Sequence, residues 1–121
     1  MRVVKALLLI VVVLVAAAVV SNVRIAMNRS HQKRTMAAMR DWAVALEAGH
    51  LTKPTASYRK ASMADGWGRP FRITTTPNSY TITSLGRDGH ADRVATAGAI
   101  RSFDCDIVYS NGSFVSWPEG I

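Results

Sequence analysis

The stretch ALLLIVVVLVAAAVV, residues 6–20, decides the fold: every side chain in it is apolar, and Arg2 and Lys5 stand just ahead of it. A basic start followed by an apolar block is the pattern of a cleaved secretory signal, a signal anchor or a short transmembrane helix. A spanning helix takes about 20 apolar residues, so the block alone falls slightly short. Val3 and Val4 on one side and residues 23–27 on the other complete it. Lys5 can snorkel to the interface, and Ser21 and Asn22 can bond back to helix carbonyls. We read residues 1–23 as an uncleaved, single-pass anchor. Ala16-Ala17-Ala18 offers the small residues that signal peptidase prefers, so release after Ala18 is the alternative. Retention rests on residues 22–48, which contain no glycine or proline and read as the same helix continuing into water.

Residues 24–50 are expected to form that amphipathic continuation. Met36, Met39, Trp42, Ala43 and Leu46 fall at the three-and-four spacing of one helical stripe, and Gly49 is a plausible stop. An unbroken helix from residue 3 to 48 would be about 70 Å long at about 1.5 Å per residue. Its second apolar stripe needs a cover, and the rest of the chain is the obvious one. Arg24, Arg29, Lys33 and Arg34, followed by Arg40, precede the first acid, Asp41, in a chain of net charge +7. Beside a membrane such a cluster suits anionic headgroups, at about 1 kcal/mol per basic residue. A solvated helix face is the plain alternative. Nucleic acid is the weaker one, because no aromatics interleave with the basic residues. The positive-inside rule, taken alone, would put this basic flank and the domain beyond it in the cytoplasm.

Of the 121 residues, about 70 remain for a globular part, near the lower limit for an independent core. Such a domain should lean on the helix, on a partner or on an ion. Residues 51–70 read as a loop holding Pro54, then the tight turn Asp65-Gly66-Trp67-Gly68-Arg69-Pro70 around one large aromatic. Residues 71–75 and 80–85 alternate as strands across a turn at 76–79. Residues 107–109 and 113–117 make a second hairpin across Asn111-Gly112, the strongest short turn signal. Between the hairpins, residues 86–103 form a long loop holding Gly86, Gly89, Gly98, Asp88 and Asp92; a loop of that length needs a reason to be ordered. The expected class is α+β: a long N-terminal membrane-anchored helix packed on a small antiparallel sheet in residues 71–121.

Catalytic chemistry finds little footing. Cys105 is the only cysteine, so no intramolecular disulfide or cysteine-cluster zinc site exists, and a half-buried strand position is the expected role. His90 lies in Asp88-Gly89-His90-Ala91-Asp92, but His31 and His50 are distant in sequence. Ser84 and Cys105, the candidate nucleophiles, lack a base and orienter in a supporting motif. We expect no enzyme activity, no nucleic-acid partner and no small-molecule substrate.

Three segments carry a resemblance: Asp65-Gly66-Trp67-Gly68-Arg69-Pro70-Phe71, Ser84-Leu85-Gly86-Arg87-Asp88-Gly89 and Asp104-Cys105-Asp106-Ile107. In this order they resemble the D-x-W-G-x-P-aromatic, S-x-G-x-D-G and D-x-D-I segments of the major pseudopilin of type II secretion. The helix-then-sheet layout resembles the wider type IV pilin superfamily. The resemblance implies an inner-membrane anchor, a periplasmic C-terminal domain, and assembly with itself or other pseudopilins into a short filament that serves protein secretion. It also implies a calcium ion held by Asp88, by Asp104 or Asp106, and by backbone carbonyls near Leu85. The chain departs from the family in its N-terminal processing motif, since its first glycine is Gly49 and no acid precedes Asp41. It also lacks a Tyr-Pro-Thr element after the helix, with only Pro54-Thr55 nearby, and it continues past D-x-D-I into a full hairpin. Calcium takes about six to eight oxygens, often carboxylates mixed with main-chain carbonyls, and Asp88, Asp92, Asp104 and Asp106 could supply them. Arg87, Arg93 and Arg101 could instead neutralise those acids directly.

Overall fold

A computed structural model describes residues 1–48, 64–92 and 97–121. The helix stop at Gly49, the loop around Pro54, His50 and Arg93 lie outside the described residues.

One helix, α1 (Arg2–Ala48, 47 residues), runs without interruption. Its length is about 70 Å at about 1.5 Å per residue. No proline or glycine occurs in it, so the usual causes of a sharp kink are missing. The two halves of α1 meet different surroundings. From Val3 to Met27 the large apolar side chains are exposed, Leu8 and Leu9 at 66% each. The helix is long and apolar enough to cross a membrane. From Gln32 onward one face is covered: Met36, Met39, Trp42, Ala43 and Leu46 are buried, and Met39 has no exposed surface.

The cover is a five-stranded sheet made of β1 (Arg72–Thr76), β2 (Ser79–Ser84), β3 (Gly98–Ile100), β4 (Ile107–Ser110) and β5 (Ser113–Pro118). Its spatial order is β1-β2-β4-β5-β3. The first hairpin pairs Arg72 with Thr83 and Thr76 with Ser79. Strand β2 continues into β4 with Ser84 opposite Ile107. The β4–β5 hairpin turns at Asn111 and Gly112, both at positive φ (49° and 96°), which asparagine and glycine adopt most readily. A register shift between Val108 and Tyr109 bends this hairpin.

The sheet departs from the expected all-antiparallel form at one edge. Within the stretch read as a continuous loop, β3 runs parallel to β5, pairing Gly98 with Ser116 and Ile100 with Pro118. Three residues are too few for an alternation to register in sequence. Ile100 is the side chain that pins the strand, buried with Tyr80, Ile82 and Ile107 against the helix stripe. Tyr80 also donates its hydroxyl to Glu47 Oε1 at 2.5 Å, tying the last helix turn to β2. Burial, then Glu47, raises the Tyr80 pKa well above the usual phenol range.

Candidate functional site

The three motif segments, far apart in sequence, meet at one end of the sheet beside the middle of α1. Asp65 organises the first. Its Oδ1 accepts from the amides of Trp67 (3.0 Å) and Arg69 (2.9 Å), and its Oδ2 accepts from the Ser84 hydroxyl at 2.8 Å. A carboxylate fed by three donors can be buried without an unsatisfied lone pair dominating its cost. Ser84, the residue weighed as a nucleophile, is buried and commits its proton to Asp65.

Gly66 is where the turn touches the helix. Its amide donates to Thr35 Oγ1 at 2.8 Å, and that hydroxyl donates back to the His31 carbonyl at 2.7 Å. A Cβ on Gly66 would lie 2.0 Å from the His31 oxygen, so only glycine permits this approach. Trp67 sits beside His31 with ring centroids 5.9 Å apart.

Arg69 joins the first segment to the second by donating to the carbonyls of Gly86 (3.0 Å) and Arg87 (2.6 Å). Its stem fills the space over Gly89, where a Cβ would lie 2.6 Å from Arg69 Nε. The second segment meets the third through the Arg87 amide, which donates to the Phe103 carbonyl at 2.8 Å. A Cβ on Gly86 would meet the carbonyls of Cys105 and Asp104 at 2.6 and 2.8 Å. Cys105 itself is half-buried against the core, but in the turn before β4 rather than in a strand.

The acids of this knot divide into two sets. Arg87 binds Asp104 in a fork, Nε to Oδ1 at 2.8 Å and Nη2 to Oδ2 at 3.0 Å. That guanidinium holds the Asp104 carboxyl below the usual range. Asp92 and Asp106 form the other set by exchanging bonds: each backbone amide donates to the other's carboxylate, at 3.2 and 2.8 Å. Asp106 Oδ1 is buried without a hydrogen-bond partner. Burial pushes the Asp106 pKa up, and the charges of Asp92 and Asp88 push it the same way. Asp88 accepts from the His90 amide in a local turn, and Leu85 is half-buried where β2 enters the loop. Arg101 pairs with Glu119 at 3.2 Å and not with the loop acids.

This donor set suits calcium in part. The orphaned Asp106 oxygen is the kind of atom a cation would satisfy, whereas both oxygens of Asp104 face Arg87. Among the described residues, no three of His, Cys, Asp and Glu stand close enough to share an ion.

Of the basic residues, Arg24 lines a groove that runs from the apolar half of α1 to the knot, with Arg87 and Phe103 on its opposite side. Arg29 lines a smaller hollow with Arg101 and Glu119, and Lys33 and Arg34 are exposed on the helix. Met36, Met39, Trp42 and Leu46 lie in the core between helix and sheet. Sequence reasoning missed Thr35 and Arg69. The signal was present for Arg69, the variable position inside the D-x-W-G-x-P turn. Thr35 gave none, being one polar residue among many on the helix. No protein-family model, curated protein or solved structure matches the chain. What the structure defines is therefore a class: an α+β chain with, among the described residues, one potential membrane-crossing helix whose far half serves as the spine of a small mixed sheet.

Proposed function

We propose that this chain is a pseudopilin-like structural subunit of a type II secretion assembly or a related pilus-like one. It sits anchored in the inner membrane by residues 1–23, its C-terminal domain is in the periplasm, and it acts without catalysis. The observation that carries the reading is the convergence of the D-x-W-G-x-P, S-x-G-x-D-G and D-x-D-I segments into one hydrogen-bonded knot on a single long helix. The exposed apolar half of that helix supports the anchor and leaves a surface for copies of this chain or related helices. A single-pass periplasmic binding module that keeps the fold without the filament role is the second reading.

Two measurements test it. Cysteines placed along the apolar half of α1, in a Cys105→Ser background, should cross-link between copies in membranes. A chain that remains monomeric overturns the filament role and leaves the binding module. A membrane-impermeant thiol reagent directed at an exposed cysteine in β5 should label it from the periplasmic side, and labelling only after lysis reverses the orientation.

Calcium enters this reading as a rival of the Arg87 guanidinium for Asp104; Asp88 and Asp106, the further ligands that the resemblance implies, would have to move to share the ion. Thermal unfolding of the full chain with calcium and with a chelator tests this. An ion that binds only the folded state adds about 2.7 kcal/mol at about a hundredfold excess over its dissociation constant. We expect a rise in melting temperature that grows in Arg87→Gln. Equal melting under both conditions, in both proteins, removes calcium and leaves the anchored subunit in place.

A further inference from the structure

We propose that the groove between the apolar half of α1 and the knot binds one anionic phospholipid, phosphate at Arg24 and Arg87 and an acyl chain along the helix below. The inference rests on the membrane-anchor reading above and names a partner for it. The groove is an open depression of about 810 Å³. Its lower wall is Val13, Ala16, Ala17 and Val20; higher up come Arg24, Asn28 and His31, and Arg87 with Phe103 form the opposite wall.

The polarity of the walls changes along the helix axis in the order a lipid needs. Small alanines between two valines leave a shallow channel for a chain; Ser21 borders its upper end, and the first cation, Arg24, stands about one turn above Val20. Val13 lies 11 residues below Arg24 in sequence, a rise of about 16 Å. One leaflet contributes about half of the roughly 30 Å hydrocarbon thickness. A phosphate level with Arg24 therefore places the end of its chain level with Val13.

Charge selects the occupant. The helix carries no acid before Asp41, so nothing on it repels a phosphate. Asp104 engages Nε and Nη2 of Arg87 and holds the guanidinium in place. Among the described residues Nη1 has no hydrogen-bond partner and is free to donate to a phosphate oxygen. Phe103 lies against this guanidinium, its ring centroid 5.7 Å away, and helps hold it over the groove. A second copy's helix in the same groove would set its own Arg24 and Arg29 against these cations, so like charges oppose that occupant.

The test uses the full chain in phosphatidylcholine vesicles containing phosphatidylglycerol, followed by flotation, mild detergent extraction and native mass spectrometry. One phosphatidylglycerol per chain should survive extraction, preferred over phosphatidylcholine by at least about tenfold. Arg24→Ala should lower retention by about the same factor. Ala17→Trp, which fills the channel and leaves every charge, should lower it too, while Leu8→Ala should not. Retention of phosphatidylglycerol no better than phosphatidylcholine, or unchanged by Ala17→Trp, overturns the proposal. So does displacement by inorganic phosphate, which would mark a simple anion site, or a lipid-free dimer mass, which would put a second copy in the groove. Failure to float with vesicles overturns the anchor reading and this one together; floating without lipid retention overturns this one alone.

Discussion

The two halves of α1 are one helix under two different demands. From Ala6 to Val20 the side chains are apolar on every face, and from Val3 to Met27 none of the large apolar ones is covered by the rest of the chain. From Gln32 to Leu46 they are mixed, and Met36, Met39, Trp42, Ala43 and Leu46 line a single stripe that the sheet buries, while Val44 stays exposed on the other face. A helix apolar all round takes lipid as its solvent, whereas a striped helix takes a folded partner. Stability is therefore local to the upper half: among the described residues the contacts that hold the fold begin near His31.

That difference can be broken most forcefully at Gly66. Gly66→Ala sets a methyl 2.0 Å from a backbone oxygen, which cannot rotate away. We expect a loss of about 4 kcal/mol or failure to fold, read by denaturant unfolding of the full chain in detergent. A wild-type midpoint would show that the turn does not dock on the helix. Next comes the pair Met39→Ala and Leu8→Ala, the same kind of truncation in the two halves. Met39 has no exposed surface, so its truncation should cost about 2–5 kcal/mol. Leu8→Ala should leave the unfolding of the sheet within about 0.5 kcal/mol of wild type. Comparable losses from both would dissolve the division.

The smallest effect is a pH dependence at Asp106. Its folded pKa is raised above the ordinary 3.8, chiefly by burial. The native state therefore holds the proton more tightly than the unfolded chain does. Stability from this group is fully present below the ordinary value and is lost as pH rises through the folded value. Asp106→Asn keeps an oxygen for the Asp92 amide and removes the charge. It should match wild type near about pH 3 and become the more stable of the two by about pH 7. Asp104 shifts in the opposite direction, but it is common to both proteins and drops out of the difference. A gap that shrinks as pH rises would show that Asp106 is stabilised as the anion.

The parts of this fold that sequence makes legible are those with local causes. The helix follows from an apolar run joined to a 3.6-residue stripe, and Asn111-Gly112 announces its hairpin because few other pairs tolerate two positive φ angles. The Trp67 turn is marked by its glycines and proline. Strand β3 is not legible, because its parallel pairing with β5 depends on partners more than a dozen residues ahead and its three residues offer one buried side chain, Ile100. The knot is legible in its members but not in its wiring. The arginines and acids here permit many pairings, and only the folded chain assigns Arg87 to Asp104, Arg101 to Glu119 and Arg69 to main-chain carbonyls. The groove below the knot could not be foreseen, since it joins Ala17 to Phe103 across most of the sequence.

The absence of any glycine or proline between Arg2 and Ala48 has a mechanical consequence. With no joint between the segment that can lie in lipid and the segment that carries the sheet, the two move as one shaft. Pushing the lower end along its axis by one helical turn would lift the knot by the same distance, about 5.4 Å. Spinning it would swing the sheet through the same angle. Work done on this chain at the membrane would be delivered to its far end without slack.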